Sequence, residues 1–227
     1  MSGDPLRTSL AEQLGRLREG DGPLPEPLLD VVSVEVAGMT ILRPRDWDEL
    51  RHQEGGAGRG VPYWALLWPS GLALAADLAA GPDLGGRRVL ELGCGLGAPS
   101  VVAAGRGAEV LATDSAPEAV VFTAHNLALN DLEGDVALLD WRDGDALAAG
   151  GPWDLVIAAD ILYLRHNVEA LARLLPALVG DSGEALIADP RRAGGRDFLA
   201  ASRGRFALDT HEPEGHEKVA LHRLRPK

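Results

Sequence analysis

The chain has 227 residues, 46% of them hydrophobic, and a formal net charge of −12 at pH 7. This length predicts one domain with a sizeable core and room for a terminal extension. The acidic balance weighs against a nucleic-acid partner, because nucleic-acid binders neutralise phosphates with a basic face. The single cysteine, Cys94, excludes an intramolecular disulfide and a cysteine-based zinc site.

The sequence shows no pattern of a signal peptide or a membrane span. The N-terminal stretch lacks an apolar signal core. The longest uncharged run, Val61 to Ala76, is too short to cross a bilayer and is broken by Pro69 and Gly71. We therefore expect a cytoplasmic protein with no membrane partner.

The first 70 residues predict a helix and a hairpin. Leucines recur at helical spacing at positions 6, 10, 14 and 17, which predicts an amphipathic helix before a loop over 20–27. Val31 to Pro44 alternates apolar and polar residues about Ala37-Gly38, which predicts a hairpin. Trp47 to Glu54 predicts a short helical segment before a loop over 55–60. We interpret residues 1–70 as an N-terminal extension that ends in an aromatic segment.

From residue 71 onward, helices and strands alternate. The predicted helices cover 72–80, 98–105, 117–129, 168–179 and 196–203. The predicted strands cover 88–92, 109–113, 136–140, 155–159 and 185–188, followed by a hairpin of 206–210 and 218–223. The near-continuous apolar strands indicate a parallel sheet buried on both faces. Residues 71–227 are thus predicted to form a doubly wound α/β domain with a mostly parallel seven-stranded sheet.

The most informative segment is VLELGCGLGAPS, residues 89–100. Three glycines alternate after the acidic Glu91, and Asp114 follows 21 residues beyond Gly93. This spacing fits a strand–turn–helix–strand unit in which the backbone approaches a ligand and the second carboxylate binds a ribose diol. A dinucleotide, S-adenosylmethionine and a purely structural turn are the alternatives. A fixed negative charge at Glu91 would oppose a pyrophosphate and suit an ammonium and a sulfonium, which favours S-adenosylmethionine.

Ligands of an open α/β sheet bind beyond the carboxyl ends of the strands. Five consecutive predicted strands end in or beside an acid, at Glu91, Asp114, Asp140, Asp160 and Asp189. Asp114 is the expected ribose ligand, with a helix N-cap role shared with Ser115 as the alternative.

The remaining strand ends predict the adenine and acceptor contacts. Asp140 and Trp141 are expected beside the adenine, although Trp141 packing on a neighbouring helix is the alternative. Asp160 is expected to orient a substrate amine, and Tyr163 to help form the acceptor pocket. Cys94 is interpreted as a small packing residue rather than a nucleophile.

The aromatic segment VPYWALLWPSG, residues 61–71, has two interpretations. In one interpretation, its rings plug one end of the sheet. Alternatively, Trp68 covers the cofactor while Tyr63 and Trp64 line the entrance for the acceptor.

Together these motifs resemble the seven-β-strand class I methyltransferases, and within them the protein-lysine methyltransferase group, from roughly Pro62 to Pro190. PYWALLWPSGLALA resembles the segment before the first strand in the enzymes that methylate the electron-transfer flavoprotein β-subunit. LELGCGLGAPSVVAA resembles the cofactor loop of the group, and AADILYL resembles its D-x-x-Y/F element after the fourth strand. The N-P-P-Y/F signature of adenine and glutamine methyltransferases is absent, and there is no ligand set for a catechol-methyltransferase type of metal.

The resemblance implies an S-adenosylmethionine-dependent methyltransferase that acts on a protein lysine. A small-molecule N-methyltransferase and a non-catalytic cofactor-binding module are the alternatives. The predicted catalytic residues are Asp160 and Tyr163. The predicted cofactor-binding residues are Trp68, Glu91, Gly93, Cys94, Gly95, Asp114, Ser115, Asp140, Trp141 and Ala159.

Overall fold

The computed structural model describes residues 5–17, 24–140 and 144–227. The strands are β1 Val31–Val36, β2 Met39–Pro44, β3 Arg88–Leu92, β4 Glu109–Asp114, β5 Asp135–Leu138, β6 Leu155–Ala159, β7 Glu184–Asp189, β8 Phe206–His211 and β9 Ala220–Pro226. The helices are α1 Pro5–Leu17, α2 Glu26–Leu29, α3 Trp47–Gly56, α4 Pro69–Ala80, α5 Ala98–Gly105, α6 Pro117–Leu129, α7 Asp145–Ala149, α8 Arg165–Val179 and α9 Ala193–Ser202. A single turn of 3-10 helix covers Tyr63–Ala65.

The main sheet has seven strands in the order β5-β4-β3-β6-β7-β9-β8. The first five strands in this order are parallel, and β9 is antiparallel to both of its neighbours. The prediction of a mostly parallel seven-stranded sheet is confirmed. The chain adds β4 on one side of β3 and β6 on the other, so the strand order reverses at β3. A ligand crevice is expected outside the carboxyl ends of strands at such a reversal.

Apolar layers cover the sheet on both faces. Side chains alternate along a strand, so Val89 and Ile157 join one buried cluster while Leu90 and Val156 join the other. All four side chains are completely buried. The parallel part of the sheet is therefore rigid, and the strand ends that form the site are fixed by a packed core.

The N-terminal elements pack onto one face of this domain. Strands β1 and β2 form the predicted hairpin as a separate two-stranded sheet. Leu14 of α1 and Ile41 of β2 belong to the same buried cluster as Phe122 of α6. The division of the chain near residue 70 stays a prediction.

Several element ends differ from the sequence prediction. Helix α4 begins at Pro69 rather than Leu72, because proline is well accommodated in the first turn of a helix. Strand β5 ends at Leu138, two residues before the predicted end at Asp140. The short helices α2 and α7 were not predicted, since neither is long enough to show a helical period. In the described part of the chain no helix is long and apolar enough to cross a membrane; the cytoplasmic location stays a prediction.

Asn126 joins the N-terminal hairpin to the rest of the domain. This completely buried side chain of α6 accepts a hydrogen bond from the Leu42 N–H at 2.7 Å. Its amide donates to the carbonyl groups of Leu42 at 3.1 Å and Leu96 at 2.8 Å. One side chain therefore satisfies three backbone groups of two separate segments.

We predict that Asn126→Ala lowers the free energy of unfolding by about 2–4 kcal/mol, because it leaves buried backbone groups without partners. Urea denaturation followed by circular dichroism measures the change. Ala128→Gln, at an exposed position of the same helix, is the control and should unfold like the wild type. A loss below about 0.5 kcal/mol in Asn126→Ala would contradict this structural role.

Candidate active site

A cavity of about 270 Å³ lies at the carboxyl ends of the central strands. It brings together the following predicted site residues: Trp68, Glu91, Gly93, Cys94, Gly95, Asp114, Ser115, Ala159, Asp160 and Tyr163. Asp140 lies two residues beyond the end of β5 and does not line this cavity, so its predicted contact with the adenine stays a prediction. Trp141 lies outside the described residues, so its predicted role stays a prediction.

The glycine turn after β3 has a backbone that only glycine adopts readily. Gly93, Gly95 and Gly97 have φ values of +70°, +56° and +75°. A Cβ atom at Gly97 would lie 2.5 Å from Cγ2 of Thr123, and one at Gly95 would lie 3.0 Å from the carbonyl oxygen of Trp64. The turn therefore combines a left-handed conformation with close contact to neighbouring segments. A side chain at these positions would be strained or would clash, which explains the alternating glycines.

The N–H groups of this turn donate to the protein itself. Gly93 and Cys94 donate to the Thr113 carbonyl group at 2.9 and 3.0 Å. Gly95 donates to Oδ2 of Asp114 at 2.9 Å, and the N–H of Ser100 in α5 donates to Oε2 of Glu91 at 3.0 Å. A dinucleotide site uses such N–H groups to bind pyrophosphate. Here those donors are already used, so the arrangement does not suit a pyrophosphate.

Glu91 is buried beneath the turn, and its charge differs from the sequence expectation. Its side chain is 1% exposed, and its Oε2 also accepts a hydrogen bond from the Ser100 hydroxyl group. Burial raises the pKa of Glu91 to about 8, and the hydrogen bonds from Ser100 only partly oppose this shift. The prediction of a fixed negative charge at Glu91 is therefore wrong. Without a bound cation, this carboxyl group is mostly protonated at pH 7.

Asp114 connects the glycine turn to the start of α6. Its Oδ1 accepts the Ala116 N–H at 2.9 Å, while its Oδ2 is bonded to the N–H of Gly95. Burial raises the pKa of Asp114, and these backbone hydrogen bonds oppose the rise. Each oxygen retains a second lone pair, so the side chain can accept hydrogen bonds from hydroxyl groups while it holds the loop.

Asp160 follows β6 and lines the same cavity. Its side chain forms an ion pair with Arg192, at 2.8 Å between Nη2 and Oδ1. Burial raises the pKa of Asp160, and the neighbouring guanidinium group opposes this shift. The described cavity lining therefore contains three carboxyl groups, of Glu91, Asp114 and Asp160, and no basic side chain.

The aromatic segment lines the cavity with Tyr63, Trp64 and Trp68, and the roles of these rings towards a cofactor or an acceptor stay predictions. Trp64 packs against Phe122 of the buried core, with ring centroids 5.2 Å apart. The Trp68 ring lies in the cavity lining, held by a 2.8 Å hydrogen bond from Nε1 to the Tyr63 carbonyl group. Tyr63 and Tyr163 contact each other at the cavity mouth, with centroids 6.2 Å apart.

Sequence reasoning missed three residues that fix the site. Ser100 occupies the third position of α5, where helix N–H groups lack partners within the helix, and this position signals a contact with the preceding acid. Asn167 donates to the Ile161 carbonyl group at 2.8 Å and holds the loop after β6. Arg192 gave no local signal, because its partner Asp160 is 32 residues away in the chain.

Comparison with known proteins agrees with this fold and with the class of protein that the sequence motifs predict. A family profile described as lysine methyltransferase matches residues 48–203. The electron transfer flavoprotein beta subunit lysine methyltransferase of Danio rerio is 38% identical over 135 residues, which cover 58% of this chain and 51% of that protein. The protein N-lysine methyltransferase METTL21A of Danio rerio is 33% identical over 166 residues, 70% of this chain and 76% of that protein.

Among solved structures, the T. thermophilus 16S rRNA N2 G1207 methyltransferase RsmC, in complex with AdoMet and guanosine, matches with a TM-score of 0.63 and 19% identity. The match covers 87% of this chain and 50% of that one, and it bears on the fold alone. The fold is that of the class I S-adenosylmethionine-dependent methyltransferases. The chain belongs to the lysine methyltransferase family, as the sequence motifs predicted. It spans about half the length of the first of the curated relatives that it matches.

The protonation of Glu91 predicts a pH dependence of stability. The unfolded chain releases this proton near pH 4.5, whereas the folded protein retains it up to about pH 8. Glu91→Gln removes the titrating group and keeps an oxygen that accepts from Ser100. Between pH 5 and 8, the free energy of unfolding of the wild type should fall by about 1.4 kcal/mol per pH unit relative to this variant.

Urea unfolding at four pH values in this window measures the difference. Glu133→Gln removes an exposed carboxylate and is the control. Its free energy of unfolding should change with pH as that of the wild type does. Parallel stability–pH curves for wild type and Glu91→Gln would show that Glu91 is ionised in the folded protein.

Proposed function

We propose that this protein transfers a methyl group from S-adenosylmethionine to the ε-amine of a lysine side chain in another protein. The observation that carries the proposal is the cavity at the strand ends, whose described lining has three carboxyl groups and no basic side chain. Membership of the lysine methyltransferase family and the class I fold support the same activity. The cavity offers acceptors for hydroxyl groups and a cation, and S-adenosylmethionine carries both.

The residues of the cavity fit this cofactor. Asp114 would accept hydrogen bonds from the ribose, with Ser115 beside it, and Asp140 and Trp141 remain the proposed adenine contacts. The turn of Gly93, Cys94 and Gly95, with Ala159 and Trp68, would enclose the rest. A bound cation would favour ionisation of Glu91, since an opposite charge stabilises a carboxylate. S-adenosylmethionine supplies an electrophilic methyl group on a sulfonium.

The acceptor side requires a neutral amine in the correct position. An ammonium group has no lone pair with which to attack, so the bound lysine must first lose its proton, which goes to water. Asp160 would accept a hydrogen bond from the amine and orient it, while the surrounding rings exclude water. Positioning of this kind contributes more to such a displacement than a strong general base does.

The shape of the entrance favours a protein over a free amine. Tyr63 and Tyr163 are 48% and 49% exposed, so they form an open mouth rather than a closed pocket. Val61 and Leu164 are also exposed beside them in the chain, at 42% and 43%. Exposed apolar side chains around a functional cavity are typical of a surface that contacts another protein. A small amine would be better enclosed by a deep pocket.

We propose that nucleic acid and membranes are not partners. The net charge of −12 would repel phosphates, and the described cavity lining contains no lysine or arginine. An acidic surface attracts a basic segment of a protein instead. A cytoplasmic location accompanies this proposal.

Ligand binding tests the cofactor. Isothermal calorimetry should show binding of S-adenosylmethionine and S-adenosylhomocysteine, and none of NAD. Asp114→Ala should weaken cofactor binding by about ten- to a hundredfold, because a charge-assisted hydrogen bond contributes roughly 1.5–3 kcal/mol. Trp141→Ala should also weaken it if this ring contacts the adenine.

Because Asp114 also holds the glycine turn, Asp114→Asn is the matched variant that retains one acceptor oxygen. It keeps one of the two backbone hydrogen bonds of Asp114, so it should disturb the turn less than Asp114→Ala does and still bind the cofactor less tightly than the wild type. The control is Asp197→Asn, an exposed carboxylate of α9 outside the cavity lining. Tight binding of NAD, or wild-type affinity in both Asp114 variants, would overturn the cofactor assignment.

Methyl transfer tests the reaction. A proteome extract incubated with the enzyme and labelled S-adenosylmethionine should acquire label on lysine side chains, mapped by mass spectrometry. Asp160→Asn should lower the transfer rate at least about tenfold, or roughly 1.4 kcal/mol of barrier, because Asp160 acts on the acceptor in the transition state. Tyr163→Ala should mainly weaken binding of the acceptor.

Both variants should bind S-adenosylhomocysteine nearly as well as the wild type does. Label confined to small metabolites would favour the small-molecule alternative. Cofactor binding without any transfer would favour a non-catalytic module. Loss of cofactor binding in Asp160→Asn, with normal turnover at saturating cofactor, would make Asp160 a cofactor ligand.

A further inference from the structure

The ion pair between Asp160 and Arg192 engages one carboxylate oxygen only. Nε and Nη2 of Arg192 both donate to Oδ1, at 2.9 and 2.8 Å. No hydrogen bond from the described part of the chain reaches Oδ2. Asp160 is 9% exposed and lines the cavity, whereas the Arg192 side chain is 42% exposed. The guanidinium group thus neutralises the carboxylate from one side and leaves its second oxygen for a ligand.

The backbone fixes both partners at the ends of neighbouring strands. The N–H of Asp160 donates to the Ala188 carbonyl group of β7 at 3.0 Å. The N–H of Arg192 donates to Oδ2 of Asp189 at 2.9 Å, and Asp189 is the last residue of β7. Asp160 and Arg191 both have left-handed backbones, with φ values of +55° and +62°, which non-glycine residues rarely adopt. The geometry of the pair therefore depends on two tight turns that the sheet holds in place.

A bare carboxylate beside the acceptor would hinder the proposed reaction. A carboxylate in contact with a lysine side chain stabilises the ammonium form of that lysine, and an ammonium group cannot accept a methyl group. An aspartate paired with an arginine has a combined charge near zero, so it stabilises an ammonium much less. Its second oxygen still accepts a hydrogen bond from a neutral amine.

We propose that Arg192 is a positioning residue that neutralises Asp160 through Oδ1, so that Oδ2 orients the acceptor lysine as a neutral amine. This inference rests on the proposed function. It assigns to Arg192 the control of the protonation of the acceptor, although Arg192 itself does not line the cavity.

Other charged and titratable groups near Asp160 must be considered in a test that depends on pH. Asp189 lies on the β7 side, and its pKa is raised mainly by burial and also by the charge of Asp160. Glu91, Asp114, Tyr63 and Tyr163 share the cavity with Asp160. A change confined to Arg192 leaves all of these groups in place, so a shift that it produces reports on the ion pair.

The first measurement needs no substrate. The carboxyl group of Asp160 is titrated by carbon-13 NMR in the ligand-free protein, with Asp160→Asn used to assign its signal. Arg192→Gln should raise the pKa of Asp160 by about one unit or more, since a close opposite charge is lost. Arg192→Lys should restore most of the wild-type value. Arg191→Gln is the matched control, because Arg191 pairs with Glu212 and not with Asp160.

The second measurement is the pH–rate profile for label transfer from S-adenosylmethionine to the proteome extract at limiting acceptor. In Arg192→Gln the rise in rate with pH should move by about one unit to higher pH, because the acceptor amine is retained longer as an ammonium. Arg192→Lys should return the profile towards that of the wild type. Affinity for S-adenosylhomocysteine should not change in Arg192→Gln, and its circular dichroism spectrum should match that of the wild type, which excludes a folding defect. Its thermal unfolding midpoint should fall only as far as the pKa shift of Asp160 requires.

The proposal is overturned if Arg192→Gln leaves both the Asp160 titration and the pH–rate profile as in the wild type. It is also overturned if Arg191→Gln shifts the profile equally. If the wild type labels no lysine, the proposed function fails, and with it the role towards the acceptor. The NMR titration then still decides whether Arg192 neutralises Asp160.

Discussion

The site depends on the hydrogen bonds that tie the glycine turn to the end of β4. Three consecutive N–H groups, of Gly93, Cys94 and Gly95, donate to the last two residues of that strand. This pattern is available because the glycines adopt left-handed conformations, in which the chain reverses without a steric clash. The consequence is that the turn does not offer the N–H donors that an anionic ligand needs. A turn whose donors are free attracts anions, whereas this turn has used its donors and presents carboxyl groups to the cavity.

Burial then determines the charge of those carboxyl groups. Glu91, Asp114 and Asp160 all have raised pKa values, and loss of solvent is the largest cause in each case. The structure opposes this cost differently at each position. Glu91 has the hydroxyl and N–H of Ser100, Asp114 has backbone N–H groups, and Asp160 has a guanidinium group. The three carboxyl groups of the lining therefore differ in how strongly their ionised form is stabilised, and they are not three equivalent negative charges.

The sequence predicted the fold where local pattern was decisive. Helices α5 and α6 and strands β3 and β6 have the predicted bounds, because glycine, proline and strongly apolar runs define their ends. The rule that ligands bind beyond the carboxyl ends of the strands also selected the correct region, because most of the predicted site residues line one cavity. Pairings between distant segments were not predictable. Neither the role of Arg192 nor the protonation of Glu91 follows from a motif, since both depend on which side chains the folded sheet places together.

The aromatic wall of the cavity also gives the protein an intrinsic optical probe. Trp64 and Trp68 line the cavity, and Trp68 contacts Trp47 edge-on with centroids 6.5 Å apart. Trp153 lies elsewhere, packed beneath the guanidinium group of Arg88 at 4.5 Å. Indole emission depends on local solvent and on neighbouring rings, so a molecule that fills the cavity should change the emission of Trp64 and Trp68, whereas Trp153, away from the cavity, should not respond. Occupancy of this cavity is thus open to measurement by fluorescence in the unlabelled, unmodified protein.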